Sequence, residues 1–271
     1  MPLMPRIRIH AEDSFSGEGK TRGLDRGLIL SRDGTNLAGE GMGIGCPAVR
    51  HGESTVFASI CSTETDPYRI VRTYRMDRRM SWTIRGRPAP YLSAAIEGAV
   101  WLYRHVPPLQ RSLLLPAGIL QNFFCIRPLY LRMDPVATAV VTYEPRKDFL
   151  VISALFRPGG NRTDRLYLFN ELQGDIFCSE WNSGGASGPP PGWKHLGTRL
   201  PTPWLSDRDG ATRFRLHSVS VSPACPWTLF WGRECTRDLC WAGFAIETDT
   251  RDAHAAEITV SYHVELKDGA L

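Results

Sequence analysis

Glu97 is the acid whose setting most suggests chemistry. It is the last acidic residue before Asp134 in an apolar stretch, Ser93–Met133, that also carries Arg104, Arg111, Arg127 and Arg132. A carboxyl desolvated among apolar side chains has a raised pKa and can donate a proton. Arg104 lies seven residues on. That spacing puts it on the same stripe of a helix, where it can pair with the acid or orient it. Glu97 and Arg104 are therefore the candidate catalytic pair, with Trp101 and Tyr103 as walls of an apolar cavity.

A second constellation surrounds the irregular stretch Asn182–Pro203. Trp193, Lys194 and His195 stand there among glycines and prolines, with Glu180 and Trp181 just before it. Loops of this length on a rigid scaffold often carry function. In this reading Trp181 and Trp193 are stacking platforms for a sugar and Glu180 is the carboxylate beside them.

Several familiar sites are absent from the sequence. Ser16–Thr21 (SGEGKT) ends like a phosphate loop, but the glycine needed five positions before Gly19 is Ser14. Gly43-x-Gly45-x-x-Ala48 contains Pro47 and precedes no helical pattern, so it is not a dinucleotide fingerprint. GxSxG, HxH, HExxH and CxxC do not occur. No metal and no cofactor are expected.

The elements that position these residues follow from periodicity. Leu92, Ile96, Val100 and Tyr103 recur at helix spacing, and Pro107-Pro108 stops the pattern. The spacing predicts a buried helix over Leu92–His105 and a second short one over Leu109–Leu115. Almost everything else reads as strands. Glu257–Leu266 (EITVSYHVEL) and Arg213–Ser222 (RFRLHSVSVS) alternate cleanly, and Arg69–Tyr74 and Ser81–Arg85 read as two separate strands. Turn signals suggest hairpins around His51-Gly52-Glu53 and Glu144–Asp148, and another joining Arg165–Asn170 to Ile176–Trp181. Gly39, Gly41, Gly43 and Gly45 alternate, which leaves one face of a strand bare for close approach.

The expected fold is mainly β: an antiparallel barrel-like or packed-sheet architecture with one central, largely buried helical insert at about residues 92–115. Residues 1–271 read as a single β-rich domain, or as a two-part body, 1–90 and 134–271, bridged by 91–133. At the level of architecture this is similar to barrels that hold hydrophobic ligands.

Composition narrows the partners. The net charge is +4, and no run of five or six basic residues occurs; the densest group, Arg75, Arg78 and Arg79, alternates with Met76, Asp77 and Met80. It reads as a solvated basic edge, and nucleic acid is not an expected partner. The longest uncharged run, Ser112–Ile126, is too short and too broken for a membrane span, although peripheral contact stays open. The seven cysteines have no metal spacing, and MPLMPRIRIHAED has no apolar leader core. Free thiols and a cytoplasmic location are expected.

The residues thus point first to binding of a lipophilic small molecule in an apolar cavity, with acid-assisted isomerisation, hydration or cyclisation as an extension. A carbohydrate-binding or carbohydrate-active β-sandwich and a non-catalytic interaction scaffold are the alternatives.

Overall fold

The computed structural model describes residues 2–4, 7–10, 25, 27–38, 43–52, 54–85, 87–89, 91–92, 95, 123, 126–159, 163–182, 185–187, 192–198, 202–235, 240–251 and 256–268. For 2–4, 7–10, 127–128, 182, 185–187, 192–193, 234–235 and 268 the description is of the backbone only. About three quarters of the described residues are in strands and about 2% are helical.

Four short strands, β1 (Pro2–Met4), β2 (Ile7–His10), β3 (Ile29–Arg32) and β4 (Thr35–Asn36), make a small antiparallel sheet in sequence order. The remaining strands form one fifteen-stranded sheet. They are β5 (Gly43–His51), β6 (Ser54–Thr65), β7 (Ile70–Ile84), β8 (Arg87–Pro88), β9 (Ile126–Pro145), β10 (Leu150–Pro158), β11 (Thr163–Gln173) and β12 (Ser179–Asn182). They continue through β13 (Gly185–Ser187), β14 (Gly192–Gly197), β15 (Trp204–Ser206), β16 (Thr212–Ser222), β17 (Trp227–Cys235), β18 (Cys240–Asp249) and β19 (Ile258–Asp268). Neighbours run β13-β12-β15-β16-β19-β10-β9-β7-β6-β5-β11-β18-β17-β14, with β8 beside β7. Every pairing in it is antiparallel.

Alternation explains which face is buried. In β10, Leu150, Ile152, Ala154 and Phe156 are buried while the residues between them are partly exposed. β19 contributes Ile258, Val260, Tyr262 and Val264 in the same way. These side chains join Tyr74, Tyr143, Phe177, Phe214, Phe244 and Trp231 in one main core. Side-chain period is two along a strand, so these positions share one face.

The predicted helical insert is a correction. No helix forms an element among the described residues. Of the span 92–115 only Leu92 and Ala95 are described. The expectation rested on spacing and propensity, a weak prior for a short apolar run. The downstream end of the same stretch, from Ile126, enters β9, a strand of 20 residues. Two smaller expectations also change. Arg165–Asn170 lies within β11, which pairs with β5 and β18 and not with the residues before Trp181. Arg69–Tyr74 and Ser81–Arg85 largely fall in one strand, β7, which carries a bulge between Met76 and Arg78.

The alternating glycines meet close neighbours where they are described. Gly45 has φ +69°, and a Cβ there would stand 2.8 Å from the Tyr143 ring. At Gly43 it would stand 2.8 Å from the Leu28 carbonyl oxygen. The bare face therefore accepts an aromatic ring and a neighbouring backbone.

Candidate functional site

The bulge in β7 builds the most unusual charge arrangement in the described molecule. A bulge adds a residue to one strand and re-aims its side chains. Here it places Asp77 in a buried position, 1% exposed, where Ser59 Oγ donates to Asp77 Oδ1. Three guanidinium groups converge on this one carboxylate. Arg75 Nε is 2.8 Å from Oδ2, Arg78 Nε is 3.7 Å from Oδ1, and Arg132 Nε is 3.8 Å from Oδ2. The two longer distances exceed hydrogen-bond length. Arg78 Nε also donates to Ser59 Oγ at 3.0 Å.

Arg78 and Arg132 are direct cross-strand partners in the β7–β9 ladder. Like charges placed directly opposite destabilise a sheet. Among the described residues one aspartate faces three guanidinium groups, an excess of two positive charges. The side chain of Arg132 is 63% exposed and that of Arg78 is 25% exposed, which leaves both within reach of solvent.

An aromatic floor adjoins this pair. Phe57 lies opposite Arg78 in the β6–β7 ladder, and Tyr130 lies opposite Met80 in the β7–β9 ladder. The Phe57 and Tyr130 rings meet edge to face at 5.5 Å. Phe57 also stacks with Phe169 at 6.1 Å, and Phe169 with Tyr167 at 5.8 Å. With Ala48 and Met80 these residues form an apolar cluster separate from the main core. Alternation puts it on the opposite face, because Val56, Ala58, Leu166 and Leu168 belong to the main core. Burial pushes the Tyr130 hydroxyl pKa up, with Glu171 and Cys46 adding to the effect. Burial likewise pushes the Cys46 thiol up to about 12, so it is not a thiolate nucleophile near neutrality.

The main core holds a polar network of a different kind. Asn170 Oδ1 accepts the Gly45 N–H at 3.0 Å and the Tyr262 hydroxyl at 2.9 Å. Tyr143 donates to the Gly45 carbonyl at 3.1 Å and lies 3.1 Å from the Tyr74 hydroxyl. Arg72 Nη1 donates to the Gly27 carbonyl at 2.8 Å. Tyr74, Tyr143, Asn170, Tyr262 and Arg72 are all fully buried. Buried polar groups need such partners, and the network ties β5, β7, β9, β11 and β19 together.

The residues singled out in the sequence separate. Glu97, Trp101, Tyr103 and Arg104 lie outside the described residues. Trp193 is on β14 and is described by its backbone alone. Glu180 and Trp181 are adjacent on β12 and alternate faces. Trp181 pairs across the ladder with Trp204, and the Arg213 guanidinium sits 3.9 Å from the Trp181 ring centre. One face of that ring is therefore taken. No group of three metal-ligating side chains occurs among the described residues.

The thiol expectation is also corrected. Cys46, Cys61, Cys178 and Cys225 are free, but Cys240 is disulfide-bonded. Cys235 stands directly across the β17–β18 ladder from it. Reduced thiols were a premise of the cytoplasmic expectation, and that premise is weakened. No described helix is long and apolar enough to cross a membrane.

Comparison with known proteins gives partial likenesses. No family model matches the chain. The highly reducing polyketide synthase sphB of Aspergillus fumigatus is 40% identical over 88 residues, which is 32% of this chain and 3% of that protein. Among solved structures, HI1317 is similar at TM-score 0.34 and 10% identity, covering 78% of this chain and 65% of that one. A glycosyl hydrolase family 38 protein from Enterococcus faecalis is similar at TM-score 0.33 and 13% identity, covering 89% of this chain and 28% of that one. Slr1438 from Synechocystis sp. PCC 6803 is similar at TM-score 0.34 and 9% identity, covering 88% of this chain and 87% of that one. At these values the structural likenesses do not bear on activity.

Proposed function

We propose that the chain binds a lipophilic small molecule bearing one anionic group. The Arg78–Arg132 rung holds the anion, and the apolar body lies along the partly exposed rings of Tyr130 and Phe169, with the buried Phe57 ring behind them. The observation that carries this reading is the like-charged rung beside the aromatic floor. Two guanidinium groups forced together gain from an anion shared between them. Rings on the same face offer the rest of an amphipathic molecule a dry surface. The ligand is the lipophilic molecule expected from the sequence, with an anionic group added. The reading is limited to binding, because the acid-assisted step rests on Glu97.

Native mass spectrometry of freshly purified protein tests it. An adduct that extracts as an organic acid, and that is lost from Arg78→Gln/Arg132→Gln protein, supports the reading. An adduct that is neutral, or that persists in the double variant, contradicts it.

A further inference from the structure

A second like-charged rung lies elsewhere on the sheet. Arg213 of β16 is the direct partner of Lys267 of β19. The next rung on the same face pairs Arg215 with Glu265. There Arg215 Nε and Nη2 reach Glu265 Oε2 at 2.8 and 2.7 Å, and Lys267 contacts Glu265 Oε1. One carboxylate thus serves two cations, and Arg213 has no carboxylate partner among the described residues. Its Nε is buried without a hydrogen-bond acceptor among them. Such an unsatisfied donor is costly.

Two tryptophans fix these heads in place. The Arg213 guanidinium stacks on Trp181 at 3.9 Å, and that of Arg215 on Trp204 at 4.5 Å, with Lys267 Nζ 5.9 Å from the Trp204 ring. A guanidinium stacked on an indole keeps its N–H edge directed sideways, ready for an oxyanion. The stacked face is closed to a base or a sugar ring, so the recognition is of charge.

We propose that the Arg213–Lys267 rung, backed by Trp181 and Trp204, is a second anion site that takes a phosphate or sulfate ester. It is independent of the Arg78–Arg132 rung. The test is a titration of full-length protein followed by the indole N–H resonances of Trp181 and Trp204, with phenyl phosphate and phenyl sulfate as probes and benzyl alcohol as the neutral control. Both indoles should shift with at least one ester and not with benzyl alcohol. Arg213→Gln should weaken binding at least tenfold, Arg213→Lys less, and Arg157→Gln, at an exposed arginine paired with Glu257, not at all. Trp181→Leu keeps the charge, removes the backing, and should weaken binding several-fold. Tighter binding of phenyl phosphate at pH 8 assigns a phosphate ester; equal or tighter binding of phenyl sulfate assigns a sulfate ester. The site is overturned if neither ester moves the indoles, or if Arg213→Gln binds as the parent does while remaining folded.

Discussion

Arg78 and Arg132 face each other across the β7–β9 ladder with Asp77 as their shared counter-charge. Like-charged partners are normally avoided at such a position. The buried aspartate makes the arrangement tolerable, and this gives the first prediction. Asp77→Asn removes the charged acceptor of the Ser59 hydroxyl and the counter-charge of three partly exposed guanidinium groups, and should cost about 1.5–3 kcal/mol. Arg132→Gln removes a repelling, exposed head and should change stability by less than about 0.5 kcal/mol. Urea unfolding of both variants checks this. Equal destabilisation by the two would mean that Arg132 is a structural partner, with no charge in excess.

Gly45 is held by its conformation and by what it meets. It has φ +69°, and a Cβ would stand 2.8 Å from the Tyr143 ring. Gly45→Ala should cost about 2–5 kcal/mol, from backbone strain and overpacking together. Tyr143→Phe removes one hydroxyl and keeps the ring, and should cost about 1–2 kcal/mol. Thermal melts of the two variants should rank in that order; the reverse order would mean that the hydrogen bonds dominate the contact.

Acid should weaken the fold before the carboxylates titrate. Burial holds the pKa of His217 below its ordinary 6.5, with Arg215 lowering it further, Glu265 opposing, and His263 and Lys267 adding to the depression. Burial lowers His263 as well. Both imidazoles are therefore more basic in the unfolded chain than in the folded one. Their contribution is fully present above pH 6.5 and is lost as the pH falls through 6.5 toward the folded values. Denaturant unfolding at pH 7.5, 6.0 and 5.0 should show falling stability, with a shallower fall in His217→Gln. An unchanged slope in that variant would contradict the assignment.

The disulfide makes a simple count possible. Seven cysteines less the two of one bridge leaves five. Unfolded without reductant, the protein should titrate five thiols, and seven after reduction. A count of seven without reductant would contradict the bond at Cys240.

The strand content was legible because one face of each long strand is buried, as in Ile258, Val260, Tyr262 and Val264 of β19. The close approach at Gly43 and Gly45 was legible for a related reason, since alternating glycines leave one face empty. The Arg78–Arg132 rung was not. The bulge at Asp77 changes the phase of β7, so Arg75–Met80 reads as a gap between two strands and its arginines as a solvated edge. The aromatic floor was hidden by distance, because Phe57 of β6 meets Phe169 across β5 and Tyr130 across β7, through the β5–β11 and β7–β9 pairings. Trp181 looked like an open platform; the guanidinium that covers it comes from β16, 32 positions away. Short-range pattern carries none of these long-range pairings.

If, as we propose, the Arg78–Arg132 rung and the rings beside it hold an amphipathic anion, the charge must contribute to affinity. Isothermal titration of decanoate and decanol at fixed ionic strength, into the parent protein and Arg78→Gln/Arg132→Gln, tests it most directly. Decanoate should bind the parent at least tenfold tighter than decanol, a difference of about 1.4 kcal/mol, and the double variant should lose that preference while remaining folded. Equal affinity of the parent for acid and alcohol, or an acid preference that survives in the double variant, would rule out the rung as the anion's seat.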